Sequence, residues 1–449
     1  MTQFTWRRLK FAVLAVFPLI VLASGRSYAS ETDACGTAPC ESCAECAKPP
    51  APPPPDFGGC CWCRPKLTGN WGGERICLAE SGITFDVDET LFYQGVVSGG
   101  IQQRSAFGGH GDYLMNVDFG KLCEHEGAFL KLRAEHRYGG SVNRDTGAFL
   151  PVALDLALPS GQSDDVMLTD VLFTQALSEK FALFAGKMDT LDGDANAFAS
   201  GRGKTQFSNA ALVFNPIAAL STPYSTFGAG FVVLEKMQPI FSFIVMNPNN
   251  TPETGFENIY QDGVSLNAEL RLPTTFFDLP GHQLIGGGWN SKTFTALDQD
   301  PLIILPGGGV PIATREGTWQ VHYNFDQYLY VDPCNPTHGW GVFGRYGISD
   351  GNPNPLQWLI SFGVGGSSPF CGREADTFGV GWYYAKASDK LGPIATQLLN
   401  LGDGQGVELF YNYEVTPWFH LTPDLQVIRG GLLNVDTALV LGLRGKLDF

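Results

Sequence analysis

Leu439-Val440-Leu441-Gly442-Leu443-Arg444-Gly445-Lys446-Leu447-Asp448-Phe449 is the stretch that decides the fold. Successive side chains of a strand point to opposite faces. Leu439, Leu441, Leu443, Leu447 and Phe449 therefore share one face, with Gly445 as a gap, while Arg444, Lys446 and Asp448 share the other. An apolar face that closes on an aromatic last residue suits a strand lying against lipid, of the kind that barrel-assembly machinery engages. It predicts an all-β fold, a transmembrane antiparallel β-barrel, with Arg444 and Lys446 turned to its interior.

The same period of two recurs upstream. Val264, Leu266, Ala268, Leu270 and Leu272 alternate with Ser265, Asn267, Glu269 and Arg271. Tyr113, Met115, Val117 and Phe119 recur with Asn116 and Asp118 between them, and Trp319, Val321, Tyr323 and Phe325 with Gln320, His322 and Asn324 between them. One such strand also fits a soluble sandwich, but many polar faces opposite many apolar ones suit a wet lumen inside a lipid-facing wall. Candidate spans begin near residues 83, 111, 127, 166, 181, 227, 240, 263, 284, 317, 340, 357, 376, 405, 419 and 436. That is about sixteen, an even number as bacterial barrels require. The apolar run Ala210 to Phe214 would make the number odd and is assigned to a loop. The connections then alternate: 177–181, 236–240 and 415–419 are short, whereas 139–165, 189–226, 295–316 and 385–404 are long and face outward. The segment 327–339 is long for the periplasmic side.

Composition agrees. Only 16% of the residues are charged, while the 55 glycines and 12% aromatics serve turns and interfacial rings. A net charge of −16 argues against a nucleic-acid partner. Trp6-Arg7-Arg8-Leu9-Lys10, the apolar run Phe11 to Ala23 and Ser27-Tyr28-Ala29 read as an export signal peptide over 1–29. No other stretch has the roughly 18 apolar residues of a membrane helix, so a spanning chain must close as a barrel. Residues 30–66 form a Cys/Pro-rich periplasmic leader, with Cys35, Cys40, Cys43, Cys46, the run Pro49 to Pro55, then Cys60, Cys61 and Cys63. Oxidising surroundings favour disulfides there over a metal. With 11 cysteines in all, one lacks an internal partner, and a disulfide-linked envelope partner is an open possibility. The barrel itself is assigned to 67–449.

In Phe129 to Tyr138, Lys131, Arg133, Glu135 and Arg137 share a face, and Leu130, Leu132, Ala134, His136 and Tyr138 the other. Charges of both signs on one lumenal face can hydrogen-bond neutral hydroxyls while offsetting one another. Glu269 with Arg271, Arg345, and Glu408 with Asn412 repeat the arrangement. The segment 189–226 is too long to stay outside unless it packs somewhere; folded inward, its Asp192, Asp194, Asn196, Arg202 and Lys204 would face the 129–138 strand. Catalysis has little support: no His-Glu-x-x-His, Gly-x-Ser-x-Gly or phosphate-loop pattern occurs. No enzyme activity, cofactor or metal is expected; Cys123, His125 and Glu126 lack a second cluster to complete a metal site.

Several separated stretches resemble the carbohydrate-selective porins of the OprB-like family. Leu67-Thr68-Gly69-Asn70-Trp71-Gly72-Gly73-Glu74-Arg75 with Leu78 to Phe85 is similar to the family's N-terminal signature, a short helix leading into the first strand. Gly186-Lys187-Met188-Asp189, Asp192, Asn196, Phe198 and Phe207-Ser208-Asn209 resemble the segment after its fifth strand. Val342 to Gly347, Asp376 to Gly381, Glu408 to Tyr413 and Thr416-Pro417-Trp418 continue the likeness. The resemblance implies a sixteen-stranded outer-membrane barrel passing carbohydrates such as glucose or small oligosaccharides by facilitated diffusion, and it adds Lys187 to the pore-lining candidates. The Cys/Pro leader departs from the family pattern. It keeps open two alternatives: an envelope structural protein linked through that leader, and a general small-solute porin without sugar preference.

Overall fold

The computed structural model describes residues 57–449 apart from 161–164, 253–258, 301–310 and 334. The expected signal peptide and most of the expected Cys/Pro leader lie outside the described residues. Strands follow one another along the chain: β1 (Ile83–Ser98), β2 (Ser105–Asp118), β3 (Ala128–Gly139), β4 (Met167–Ser178), β5 (Phe181–Asp189), β6 (Ser225–Glu235), β7 (Gln238–Met246) and β8 (Ser265–Phe276). The second half holds β9 (Leu279–Thr295), β10 (Thr314–Val331), β11 (Gly339–Ser349), β12 (Leu356–Ser367), β13 (Thr377–Ala387), β14 (Gly404–Thr416), β15 (Phe419–Arg429) and β16 (Ala438–Asp448). Each pairs antiparallel with its sequence neighbours, and β1 pairs with β16 from Asp88↔Asp448 to Ser98↔Leu439. The sixteen strands thus form a closed barrel, which leaves no open sheet edge to be solvated.

Strand parity sets the two faces. Leu183, Leu270, Leu272, Ile285, Val321, Phe362, Val380, Leu441 and Leu443 are exposed on the outer wall. A continuous apolar exterior of this extent is unfavourable in water and suits a bilayer. Two strands begin earlier than the alternation suggests, β2 at Ser105 and β9 at Leu279. Gly108, Gly109, Gly111 and Gly281 have no side chain to declare a face, so the period is invisible there. The rings of Tyr138 and His136 occupy the space that a Cβ at Gly109 or Gly111 would need, packing across from β3 onto bare backbone of β2.

At the proximal rim, where β1 starts and β16 ends, tight turns join the strands. Lys236-Met237 and Phe277-Asp278 all have positive φ, as hairpins that follow the right-handed twist require. The long connection expected after β10 contracts to 332–338, because β10 itself runs on to Val331. A short helix, α1 (Glu74–Glu80), seals the seam. Its buried Arg75 donates to Gly69 O at 3.1 Å and to Phe449 O at 2.7 Å, and its guanidinium stands 4.6 Å from the Trp71 ring. Phe449 N donates to Val87 O at 2.9 Å, which ties the end of the last strand to the first. A second short helix, α2 (Phe119–Cys123), caps the β2–β3 turn.

At the distal rim the connections are long, and two segments of them, 140–160 and 190–224, fold back into the barrel. The run expected as loop at Ala210 to Phe214 holds a buried helical turn, α3 (Ala210–Val213), inside the second of these. Phe198, Phe207, Ala210, Leu212 and Leu154 pack on Phe343 of β11 and Phe410 of β14. The Phe207 and Phe410 rings meet edge to face at 4.9 Å between centroids. Val152, Ala211 and Ile217 pack on Leu359, Tyr383 and Ile428. The lumenal wall of β11–β15 is accordingly apolar in part, where a uniformly wet interior was expected from the alternation.

Candidate functional site

The inserted segment 190–224 is pinned around the inner wall by ion pairs and hydrogen bonds to at least eleven strands, including β8, whose Ser265 hydroxyl donates to Ser221 O, and β9, whose Asn290 Nδ2 donates to Leu220 O at 3.1 Å. Asp192 accepts from Arg133 Nη1 and Arg202 Nη1, each at 3.0 Å, and lies 3.4 Å from Lys131 Nζ. Arg202 reaches Asp189 at 2.7 Å and Glu135 at 2.8 Å. Lys204 reaches Asp112 on β2 at 2.9 Å and Asp88 on β1 at 3.1 Å. Across the barrel, Asp194 pairs with Arg345 Nε of β11 at 2.7 Å and accepts from Asn324 Nδ2 of β10 at 2.7 Å. Asn196 Nδ2 donates to Asn324 Oδ1 at 2.7 Å. Further on, Ser208 N and Asn209 N donate to the Glu408 carboxylate of β14 at 2.6 and 2.9 Å. Asn209 Nδ2 donates to Gln426 of β15 at 3.0 Å, and Arg444 of β16 donates to Gln206 O at 2.6 Å.

Alternation explains why these groups meet. Lys131, Arg133 and Glu135 sit at every second position of β3 and face the lumen, beside Asp112 of β2 and Asp170 of β4 in register. Lys131 Nζ is 2.7 Å from Asp170, and Arg133 Nε is 3.2 Å from Asp112. The cations Lys131, Arg133, Arg202 and Lys204 are interleaved with carboxylates of both wall and loop. Burial would raise the Asp192 carboxyl, but Arg133, Arg202 and Lys131 overcome it and hold the group well below the ordinary carboxylate range. Lys204 shows the converse: burial would lower it, and Asp112, Asp88 and Asp155 carry it above the usual lysine range.

The barrel is not filled evenly. Glu135, Asp170, Arg345 and Glu408 are at most 1% exposed, whereas Ser242 and Ile244 of β7, Glu269 and Arg271 of β8 and His282 of β9 remain half-buried. The open passage therefore runs off-centre, against the β7–β9 wall. The loop comes close to β8 here: a methyl group at Gly193 would lie 3.6 Å from Glu269 Oε1. Along this wall Glu269 Oε1 is 3.6 Å from His322 Nε2, and Asp326 lies 2.8 Å from His282 Nδ1 and 3.9 Å from Arg271 Nη2.

Of the residues singled out from the sequence, Lys131, Arg133, Glu135, Asp192, Asn196, Arg345 and Glu408 come together around the inserted segment, and Glu269 and Arg271 face it across the passage. Arg137 stands nearer the distal rim and donates to Pro159 O at 2.9 Å. Lys187 does not join the cluster. It lies within β5, one position before lumenal Met188, with Nζ donating to Pro252 O at 3.0 Å and 5.9 Å from the Phe227 ring. Sequence reasoning missed Asp88, Asp112, Asp170, Asp326 and His282, and it read His322 and Asn324 as lumenal polar positions without making them site candidates. All lie on lumenal positions of alternating strands, so extending the parity argument from β3 to β1, β2, β4, β9 and β10 would have found them.

The family described as carbohydrate-selective porin, OprB family, matches residues 103–449. No curated protein matches the sequence. Among solved structures, the high-pH structure of Pseudomonas putida OprB is similar with a TM-score of 0.74 at 20% identity, over 86% of this chain and 98% of that one. The low-pH structure of the same protein gives 0.54 at 17% identity, over 86% and 99%. At these identities the structures speak for the fold, while the family match over most of the chain decides membership: the chain belongs to the OprB family of carbohydrate-selective porins.

Proposed function

We propose that the chain is an outer-membrane channel for facilitated diffusion of glucose-like mono- or small oligosaccharides along the β7–β9 wall. One observation carries the reading: the inserted segment is held by charges of both signs that compensate one another, beside a passage lined by Glu269, Arg271 and His282, with His322 buried behind Glu269. A neutral polyol gains donors and acceptors from such a lining without a strong net field to exclude it or trap it. A single unbalanced charge row would instead select ions. In this reading the proximal rim faces the periplasm, the outer wall meets outer-membrane lipid, and the strand ending at Phe449 is the segment that barrel-assembly machinery recognises.

Planar-bilayer recording of the purified protein tests it. Stable conductance that falls in a saturable way as glucose or maltose is added supports a sugar path. Conductance indifferent to sugar reassigns the chain as a general small-solute porin, and an electrically closed barrel removes the channel reading.

A second reading rests on the cysteines. Cys60, Cys61, Cys63, Cys77, Cys123 and Cys371 are all exposed, and they belong to elements of the proximal rim. Trp418 Nε1, in the β14–β15 turn, donates to Cys61 O at 2.6 Å and docks the end of the leader there. A disulfide-linked envelope partner would then use the barrel as its anchor. Non-reducing gels of intact envelopes that show only monomer would exclude it.

A further inference from the structure

High on the outer wall, away from the passage, the distal ends of β12–β15 enclose a cavity of about 320 Å³ lined by Tyr384, Lys386, Asp403, Gln405, Arg429 and Leu433. Tyr383 and Ala385 belong to the lumenal core, so their neighbours Tyr384 and Lys386 point away from the lumen. The register then aligns outward side chains across four strands: Trp358 opposite Lys386, Tyr384 opposite Gln405, and Gln405 opposite Arg429. Nearer the middle of the same wall come Phe362, Trp382, Val407 and Val427, all apolar. The order from mid-wall to rim is apolar, then the Trp358–Tyr384 stack at 5.1 Å between centroids, then two cations. That order matches a bilayer passing from acyl chains through the interface to headgroups.

The charges within the cavity are unequally satisfied. Asp403 accepts from Tyr384 OH at 2.5 Å and lies 3.3 Å from Lys386 Nζ, which also approaches Asp389 at 3.3 Å. These contacts fix Lys386 and Tyr384 in place and offset one positive charge. Arg429 pairs with Gln405 through its backbone, and its side chain is exposed, with no hydrogen bond or ion pair made by its guanidinium among the described residues. A guanidinium held at headgroup level on a β-strand, beside a positioned ammonium and an amide, offers the fork geometry that phosphate oxygens accept.

We propose that this cavity binds a phosphate group of an outer-leaflet lipid, with Arg429 as its principal donor, Lys386 and Gln405 as flanking donors, and Trp358 and Tyr384 against the proximal acyl or sugar portion. The proposal rests on the membrane-barrel reading but not on sugar transport. The acidic Asp403 sets a limit on the ligand: a single phosphate bound through Arg429, not a polyanion spread over the whole site.

Native mass spectrometry of the purified full chain in detergent tests it, with bisphosphorylated lipid A, its dephosphorylated counterpart and inorganic phosphate as probes. One lipid A per barrel is expected, with apparent affinity falling about five- to tenfold in Arg429→Gln and in Lys386→Gln. The control Arg315→Gln, which removes an exposed arginine paired with Asp298 at the same rim, should bind as the parent does. Equal binding of the dephosphorylated lipid, displacement by inorganic phosphate at matching concentration, or unchanged binding in both variants would overturn the assignment. Heat-modifiable gel mobility confirms folding of each variant, and Arg429→Lys serves if Arg429→Gln fails to assemble. Channel conductance, read separately, should be the same in Arg429→Gln, so failure of the lipid site and failure of the channel reading are distinguishable.

Discussion

Replacing Arg202 by methionine removes one positive charge at nearly constant volume from a point where Asp189, Asp192 and Glu135 converge at 2.7 to 3.0 Å. Breaking a buried ion pair from one side typically costs about 3–5 kcal/mol, because the remaining carboxylates are left facing each other. The whole inserted segment should nevertheless stay in the barrel. Lys204, the Asp194–Arg345 pair, the Glu408 cradle and the Phe207 cluster hold it independently. The effect should therefore appear as charge at the passage and not as an open pore. At an assumed separation of about 6 Å in a water-like medium, a unit charge contributes about 0.7 kcal/mol. That is roughly a threefold enrichment of cations and a similar depletion of anions, so the cation-to-anion permeability ratio should rise by about tenfold at most. Reversal potentials across a KCl gradient in planar bilayers measure it directly, and pairing the change with Asp189→Asn should restore much of the original ratio. An unchanged permeability ratio in Arg202→Met, with the protein folded, would refute the placement of this cluster beside the open path.

Gly193→Trp places a large ring where even a methyl group meets Glu269, so single-channel conductance and sugar-driven liposome swelling should fall several-fold while the barrel assembles normally. Phe207→Ala empties the apolar contact with Phe343 and Phe410 and should cost about 3–5 kcal/mol of segment docking, seen as noisier and larger conductance. Because its cationic neighbours depress the Asp192 carboxyl, the stabilisation it provides is present above the unfolded value near pH 4 and disappears only as pH falls through the lower folded value. The docking contributed by Asp192, read as the difference between the parent and Asp192→Asn, should accordingly hold steady from pH 7 to about 4 and fall only in stronger acid. Phe449→Ala should lower the yield of heat-modifiable barrel in cells more than it lowers the stability of barrel already assembled.

The architecture was largely legible because a barrel wall writes itself into the sequence with period two. All sixteen candidate spans correspond to strands, and the parity argument that treated Ala210 to Phe214 as non-spanning agrees with α3 lying inside a connection. What failed, failed where side chains were missing or where the wall does not face water. Gly108 to Gly111 hid the start of β2, since a residue without a side chain cannot show which face it occupies.

The interior was less legible for a different physical reason. A lumenal position is read as polar because it is assumed to be wet, but Phe343, Leu359, Phe410 and Ile428 face a packed segment instead of water. At those positions both faces of the strand are apolar, and alternation loses its meaning there. The clue was in the partner: 189–226 carries Phe198, Phe207, Ala210, Leu212 and Ile217 amid its charges, too many apolar groups for a segment left in solvent. The apolar members seek the β11–β15 wall and the charged members seek β1–β3. The segment is thereby drawn to one side of the barrel, and the β7–β9 wall is left as the route. The eccentric passage thus follows from the uneven distribution of apolar residues between two halves of the same wall, a property that no single strand displays and that emerges only when the loop and both halves are considered together.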